Sequence, residues 1–133
     1  MIDKFDDEYF FLSNFYPTKI TYKGITYRNS ESAYQAQKCP GMASQFQNLS
    51  GKEAKELGKQ VILRDDWEKI KYSEMANIVY YKFLQNPELA KKLKDTGNEV
   101  LVEGSTSDRY WGKVKGIGMN KLGEILMQVR ESI

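Results

Sequence analysis

Lys19-Ile20-Thr21-Tyr22-Lys23-Gly24-Ile25-Thr26-Tyr27-Arg28-Asn29-Ser30-Glu31-Ser32-Ala33-Tyr34-Gln35-Ala36-Gln37-Lys38 holds a hairpin and a helix in succession. Two β-prone runs, 19–22 and 25–27, flank Lys23-Gly24, which reads as a tight turn. Asn29 or Ser30 then caps a helix expected to run to Lys38 and to stop at Pro40-Gly41. A chain that pairs strands locally and then turns helical points to α+β.

Upstream, residues 9–18 read as irregular. Downstream, the signals are mostly helical. Ser50-Gly51-Lys52-Glu53 is a capping-box pattern opening a helix that ends near Gly58. Asp65 or Asp66 should cap the longest helix, whose apolar positions Trp67, Ile70, Met75, Ile78, Val79 and Phe83 recur mostly at helical spacing. Trp67 and Met75 are expected in the core. Asn86-Pro87 opens a short helix with Gly97 beyond its end. Residues 99–103 read as one short strand and 104–118 as loop. Met119 to Val129 forms a last amphipathic helix through Leu122, Ile125, Leu126 and Val129. No repeat or linker interrupts the chain, so the expectation is one mainly helical α+β domain over residues 1–133 with a small hairpin.

Composition narrows the chemistry. The 133 residues are 41% hydrophobic and 29% charged, a globular balance. No apolar run approaches the ~20 residues of a membrane span. The acidic N-terminus lacks an apolar signal core, and Cys39 is the single cysteine, so a cytoplasmic location is expected. Cys39 has no histidine partner and reads as a bystander rather than a nucleophile. There is no histidine at all. That removes imidazole metal ligands and Ser-His or Cys-His dyads, so acid–base work would fall to carboxylates, lysines or tyrosines. No metal and no cofactor are expected. The net charge of +2 is dispersed and suits a small anionic ligand better than a long polyanion.

Three places can carry chemistry. On a helix, Glu31, Tyr34, Gln35 and Lys38 share one face, with Glu31 in the first turn, where the helix dipole favours an ionised carboxylate. The bland alternative is a solvated face decorated by charges. The second place is the loop from Glu103 to Gly112, which carries Asp108 and Trp111 just after the expected strand. Trp111 reads as a base-stacking ring or, more commonly, a core plug. The third is Gly112 to Lys121, whose glycines before a helix can offer N–H groups to a phosphate, or simply make a flexible turn.

Together these segments resemble the NADAR family of YbiA-like N-glycosidases. The matching motifs are Phe11-Leu12-Ser13-Asn14-Phe15-Tyr16-Pro17, Ser30-Glu31 through Tyr34-Gln35-Ala36-Gln37-Lys38, and Lys82-Phe83. Leu101-Val102-Glu103, Asp108 with Tyr110-Trp111-Gly112, and Gly118, Asn120 and Leu122-Gly123 follow in the expected order. The sequence departs at Ser32-Ala33, where some relatives carry histidine and an aromatic residue, and at Gly104 after Glu103. These departures bear on substrate choice more than on reaction type.

The resemblance implies cleavage of a ribose–base bond in a small nucleotide-sugar. The substrate would be a ribosylamino-pyrimidine phosphate of riboflavin biosynthesis or an ADP-ribosyl-guanine, with ADP-ribosylated guanine in DNA as a further substrate form. It implies Glu31 as the carboxylate near C1′ and Asp108 as the second acid. Tyr34 and Trp111 would contact the base or sugar. Lys38, Lys82 and the 112–118 loop, with Gly112 and Gly118, would hold phosphate. Asn14, Glu103 and Asn120 complete the implied substrate-binding set. The competing expectation is a non-catalytic module that binds ADP-ribose or an NAD derivative; generic nucleic-acid binding is a third, disfavoured by the dispersed charge.

Overall fold

The computed structural model describes every residue, Met1–Ile133. Five α-helices, two 3₁₀ segments and one two-stranded antiparallel sheet make the fold mainly helical α+β. The chain packs as two units, Asn14–Gln85, and Met1–Ser13 with Asn86–Ile133.

In the unit Asn14–Gln85, strands β1 (Ile20–Tyr22) and β2 (Ile25–Tyr27) pair with Ile20 opposite Tyr27 and Tyr22 opposite Ile25. Lys23 and Gly24 take φ of 50° and 84°, the two positive values a tight hairpin turn needs to match strand twist. Ile20, Tyr22 and Tyr27 are buried, while the Thr21 and Thr26 hydroxyls meet at 2.7 Å on the outer face. The outward N–H and C=O of Thr21 are taken by the side-chain amide of Gln85, at 2.8 Å each.

Asn29 caps helix α1 (Ser30–Ala36) by accepting the Ser32 N–H at 2.8 Å, and its amide donates to the Leu49 carbonyl. All seven residues of α1 are buried. The helix stops short of Lys38, because the N–H groups of Gln37, Lys38 and Cys39 turn to carbonyls three residues back. These tighter bonds end the α-helix, and a 3₁₀ segment, Pro40–Phe46, follows. Helix α2 (Gly51–Gly58) opens on the expected capping box between Ser50 and Glu53. In α3 (Trp67–Gln85), Trp67, Met75, Ile78, Val79 and Phe83 are buried as their spacing requires, and Ile70 is half-buried. The Asp66 carboxylate grips Arg64 at 2.6 Å, and its carbonyl receives the Ile70 N–H. Helix α1 packs against α2, α3 and both strands, which places it centrally in this unit.

In the other unit, α4 (Pro87–Asp95) buries Leu89 and Leu93 and is followed by Gly97 at φ 60°, the left-handed residue that closes many helices. The strand expected at 99–103 is reduced to a single parallel bridge between Ile2 and Leu101. Ile2 bonds the Val100 carbonyl and the Val102 N–H on one side. On the other side no strand is present; the Asn120 side chain accepts from Glu103 N–H and donates to the Leu101 carbonyl, each at 3.0 Å. Helix α5 (Lys121–Ser132) buries Leu122, Ile125, Leu126 and Val129 as expected. A Cβ at Gly123 would stand 2.1 Å from the Leu101 carbonyl oxygen, so only glycine lets α5 lie directly against this segment. No helix is long and apolar enough to cross a membrane.

Candidate active site

Glu31 enters α1 in the first turn, its N–H donating to the Asn14 carbonyl at 3.0 Å. Its side chain is not the solvated face that the simpler sequence reading allowed: the residue is 9% exposed. One carboxylate oxygen, Oε2, accepts the Gln35 amide at 3.0 Å, and the helix N-terminus adds a favourable field. Tyr34 is buried on the same helix with its ring 5.2 Å from that of Trp67. Asn14 is buried and donates to the Met75 sulfur of α3 at 3.4 Å. Lys38 lies beyond the end of α1 and is half-buried, so it does not continue the Glu31 face.

Three buried acceptors in this unit, Asn14 Oδ1, Ser30 Oγ and Gln35 Oε1, have no hydrogen-bond partner. Each such atom costs about 1–3 kcal/mol. Native proteins keep few of them.

Lys82 is 1% exposed, with its ammonium 5.8 Å from the Tyr16 ring centroid and 5.3 Å from that of Phe83. Burial lowers its pKa to about 7. A buried amine poised near neutrality is suited to proton transfer. Glu74, also buried, accepts the Tyr22 hydroxyl and pairs with Lys23 at 2.7 Å. Burial, and then Glu74, raise the Tyr22 pKa. Neither burial was read from the sequence, although 74, 75, 78, 79, 82 and 83 form one helical stripe. The stripe was the available signal.

The remaining expected residues lie in the other unit and shape a loop. Glu103 Oε1 accepts both the N–H and the hydroxyl of Ser105. Asp108 Oδ1 accepts the N–H groups of Tyr110 and Trp111, at 2.8 and 2.9 Å. Trp111 is half-buried and meets Tyr110 edge-on at 4.7 Å, so it is not a fully enclosed plug. Gly112 has no room for a Cβ, which would stand 2.2 Å from the Glu103 carbonyl oxygen, and Gly118 sits at φ 150° against the Gly112 carbonyl. The N–H groups of Lys113, Val114, Ile117, Met119, Asn120, Lys121 and Leu122 all bond carbonyls within residues 103–117. Within 112–118, the N–H groups of Gly112, Lys113, Val114 and Ile117 are thus committed to holding the loop. No group of three or more Cys, Asp or Glu side chains is arranged around a metal position.

The family model described as the NADAR domain matches residues 2–133. A riboflavin biosynthesis protein of Vibrio vulnificus is 41% identical over 96% of this chain, which spans 36% of that longer protein. An N-glycosidase of Nostoc punctiforme is 36% identical, over 91% of this chain and 83% of its own length. The solution structure of Escherichia coli YbiA superimposes with a TM-score of 0.85 at 33% identity, covering 99% of this chain and 86% of that one. The E. coli protein is named an N-glycosidase.

Proposed function

Because the chain belongs to the NADAR domain family, we propose that it is an N-glycosidase that hydrolyses the ribose–base bond of a nucleotide-like substrate. The observation that carries this reading is the Glu31 carboxylate, nearly enclosed, set at a helix N-terminus and bonded by the Gln35 amide. As the C1′–N bond breaks, its electron pair leaves with the base and positive charge builds on the ribose. Glu31 stabilises that charge and takes a proton from the water that forms the new C1′–O bond. Lys82, with a pKa of about 7, is the group we assign to proton delivery at the leaving nitrogen.

A ribosylamino-pyrimidine phosphate is the first substrate to test, a choice supported by the name of the Vibrio relative. ADP-ribosyl-guanine, free or in DNA, is the second. Trp111 stays our candidate for stacking on a base, with Asp108 fixing the turn that presents it. The family model runs through both packing units, which supports treating residues 2–133 as one domain. We place the protein in the cytoplasm, consistent with its single cysteine. The engagement of Asp108 and Glu103 in their own turns favours one alternative, a non-catalytic ADP-ribose-binding module.

The test incubates the purified protein with each substrate and follows the released base by mass spectrometry. Glu31→Gln should cut turnover roughly 100-fold or more while substrate affinity survives. A fully active Glu31→Gln protein refutes the assignment. Saturable ADP-ribose binding without release from any substrate establishes the module instead.

A further inference from the structure

Gln35 lies one helical turn beyond Glu31 and is 4% exposed. Its Nε2 donates to the Glu31 carboxylate at 3.0 Å, while its Oε1 is buried without a hydrogen-bond donor. What Oε1 meets is Gly58, the last residue of α2. A Cβ built on Gly58 would stand 1.9 Å from Oε1 and 2.8 Å from Cδ. The α-hydrogen that occupies that direction therefore points at Oε1, a weak C–H···O contact. The amide is held between the α2 backbone and the carboxylate.

The two ends of an amide are chemically opposite, and here each faces the surface that suits it. Reversed, the amide would aim its oxygen at the carboxylate and its N–H₂ at a C–H. Nor is Gly58 required by its backbone, since it is not among the residues with positive φ. Alanine is the stronger helix former, so the space taken by Gln35 is what explains glycine at this position.

We infer that Gly58 and Gln35 are a positioning pair, in which α2 fixes the Gln35 amide and the amide fixes the Glu31 carboxylate. The role rests on the assignment of Glu31 above and adds two residues to it. Neither touches the reacting atoms; both act through Glu31.

Gly58→Ala tests the pair. The new methyl drives the amide off the carboxylate, so kcat should fall about tenfold, the scale of one hydrogen bond to a charged group. KM should stay within about twofold, because ground-state binding is untouched. Gln35→Ala should show the same loss, and the double variant should be no worse than Gln35→Ala alone, since the small side chain leaves room for the methyl. Independently of any substrate, the Gln35 side-chain amide protons, observed by ¹⁵N NMR, should exchange slowly in the wild type and fast in Gly58→Ala.

Unchanged amide exchange, full activity of Gly58→Ala, or additive losses in the double variant would each overturn the pairing. Should Gly58→Ala fail to fold, Gln35→Met, close in volume, must show the same kcat loss or the inference falls. An active Glu31→Gln protein overturns the glycosidase assignment instead, and leaves the amide measurement standing as the separate test of the pair.

Discussion

Replacing Lys82 by methionine separates what this residue does for chemistry from what it does to stability. Burial lowers its pKa from 10.5 to about 7. At ~1.4 kcal/mol per unit, that depression opposes folding by on the order of 5 kcal/mol at pH 7 and below. Between pH 7 and 10.5 the unfolded chain carries a proton on this amine that the folded chain lacks, so stability rises with pH across that window. The rise from pH 7 to about 9.5 should be about 3 kcal/mol. Nearer pH 10 the sign reverses for Tyr22 and Tyr27: their folded pKa values are raised, so the unfolded phenols ionise first and stability is lost. Methionine keeps the apolar length but gives up the cation contacts to the Tyr16 and Phe83 rings, worth ~0.5–2 kcal/mol. Lys82→Met should therefore be about 2–4 kcal/mol more stable than the wild type at pH 7, with the difference closing to near zero by about pH 9.5. Urea denaturation of both proteins across that range reads the effect, and turnover of the stabilised variant should be lost. Parallel pH dependence in the two proteins, or a variant less stable at pH 7, would refute the reasoning.

Two further substitutions probe the frame around the candidate residues. Asn120→Gly keeps a residue that tolerates φ 52° while removing two buried hydrogen bonds to Leu101 and Glu103. A loss of about 2–3 kcal/mol is expected in urea unfolding, and an unchanged midpoint would deny that the amide holds the segment. Asn29→Ala removes the cap of α1 and its link to Leu49, which should cost about 1–2 kcal/mol. Hydrogen exchange at the Ser32 amide should quicken, and unaltered protection there would count against the cap.

Local chemistry was legible wherever a residue type has few alternatives. Lys23-Gly24 supplied two positive φ values, Ser50 and Glu53 closed a reciprocal cap, and Pro87 and Gly97 bracketed a helix. Features set by distant partners were not legible. The 99–103 strand is a single bridge because only Ile2 pairs with it in β fashion and the Asn120 side chain occupies its other edge. The end of α1 was misplaced because the switch to shorter-range bonds after Ala36 leaves no mark in composition. Glu31 stands out from its motif, but its enclosure does not, since an acid in a first helical turn is usually solvated. Lys82 shows the opposite failure. Its position in the stripe with Met75, Ile78 and Val79 implied burial, and its charge argued against it. The 112–118 loop has the residues of an anion cradle, and two of its glycines, Gly112 and Gly118, also serve close backbone contacts that no sequence pattern announces.

A sheet of two short strands offers its outer edges to any extended chain that drifts past, and a protein crowded among its own copies meets such chains constantly. On β1 the receptive groups of Thr21 are already occupied by the Gln85 amide, delivered from the far end of the longest helix. An invading strand must first evict a side chain bound at both its ends. One glutamine thus gives the hairpin a guarded margin without a third strand, and leaves α3 a fixed point at which its last turn is moored.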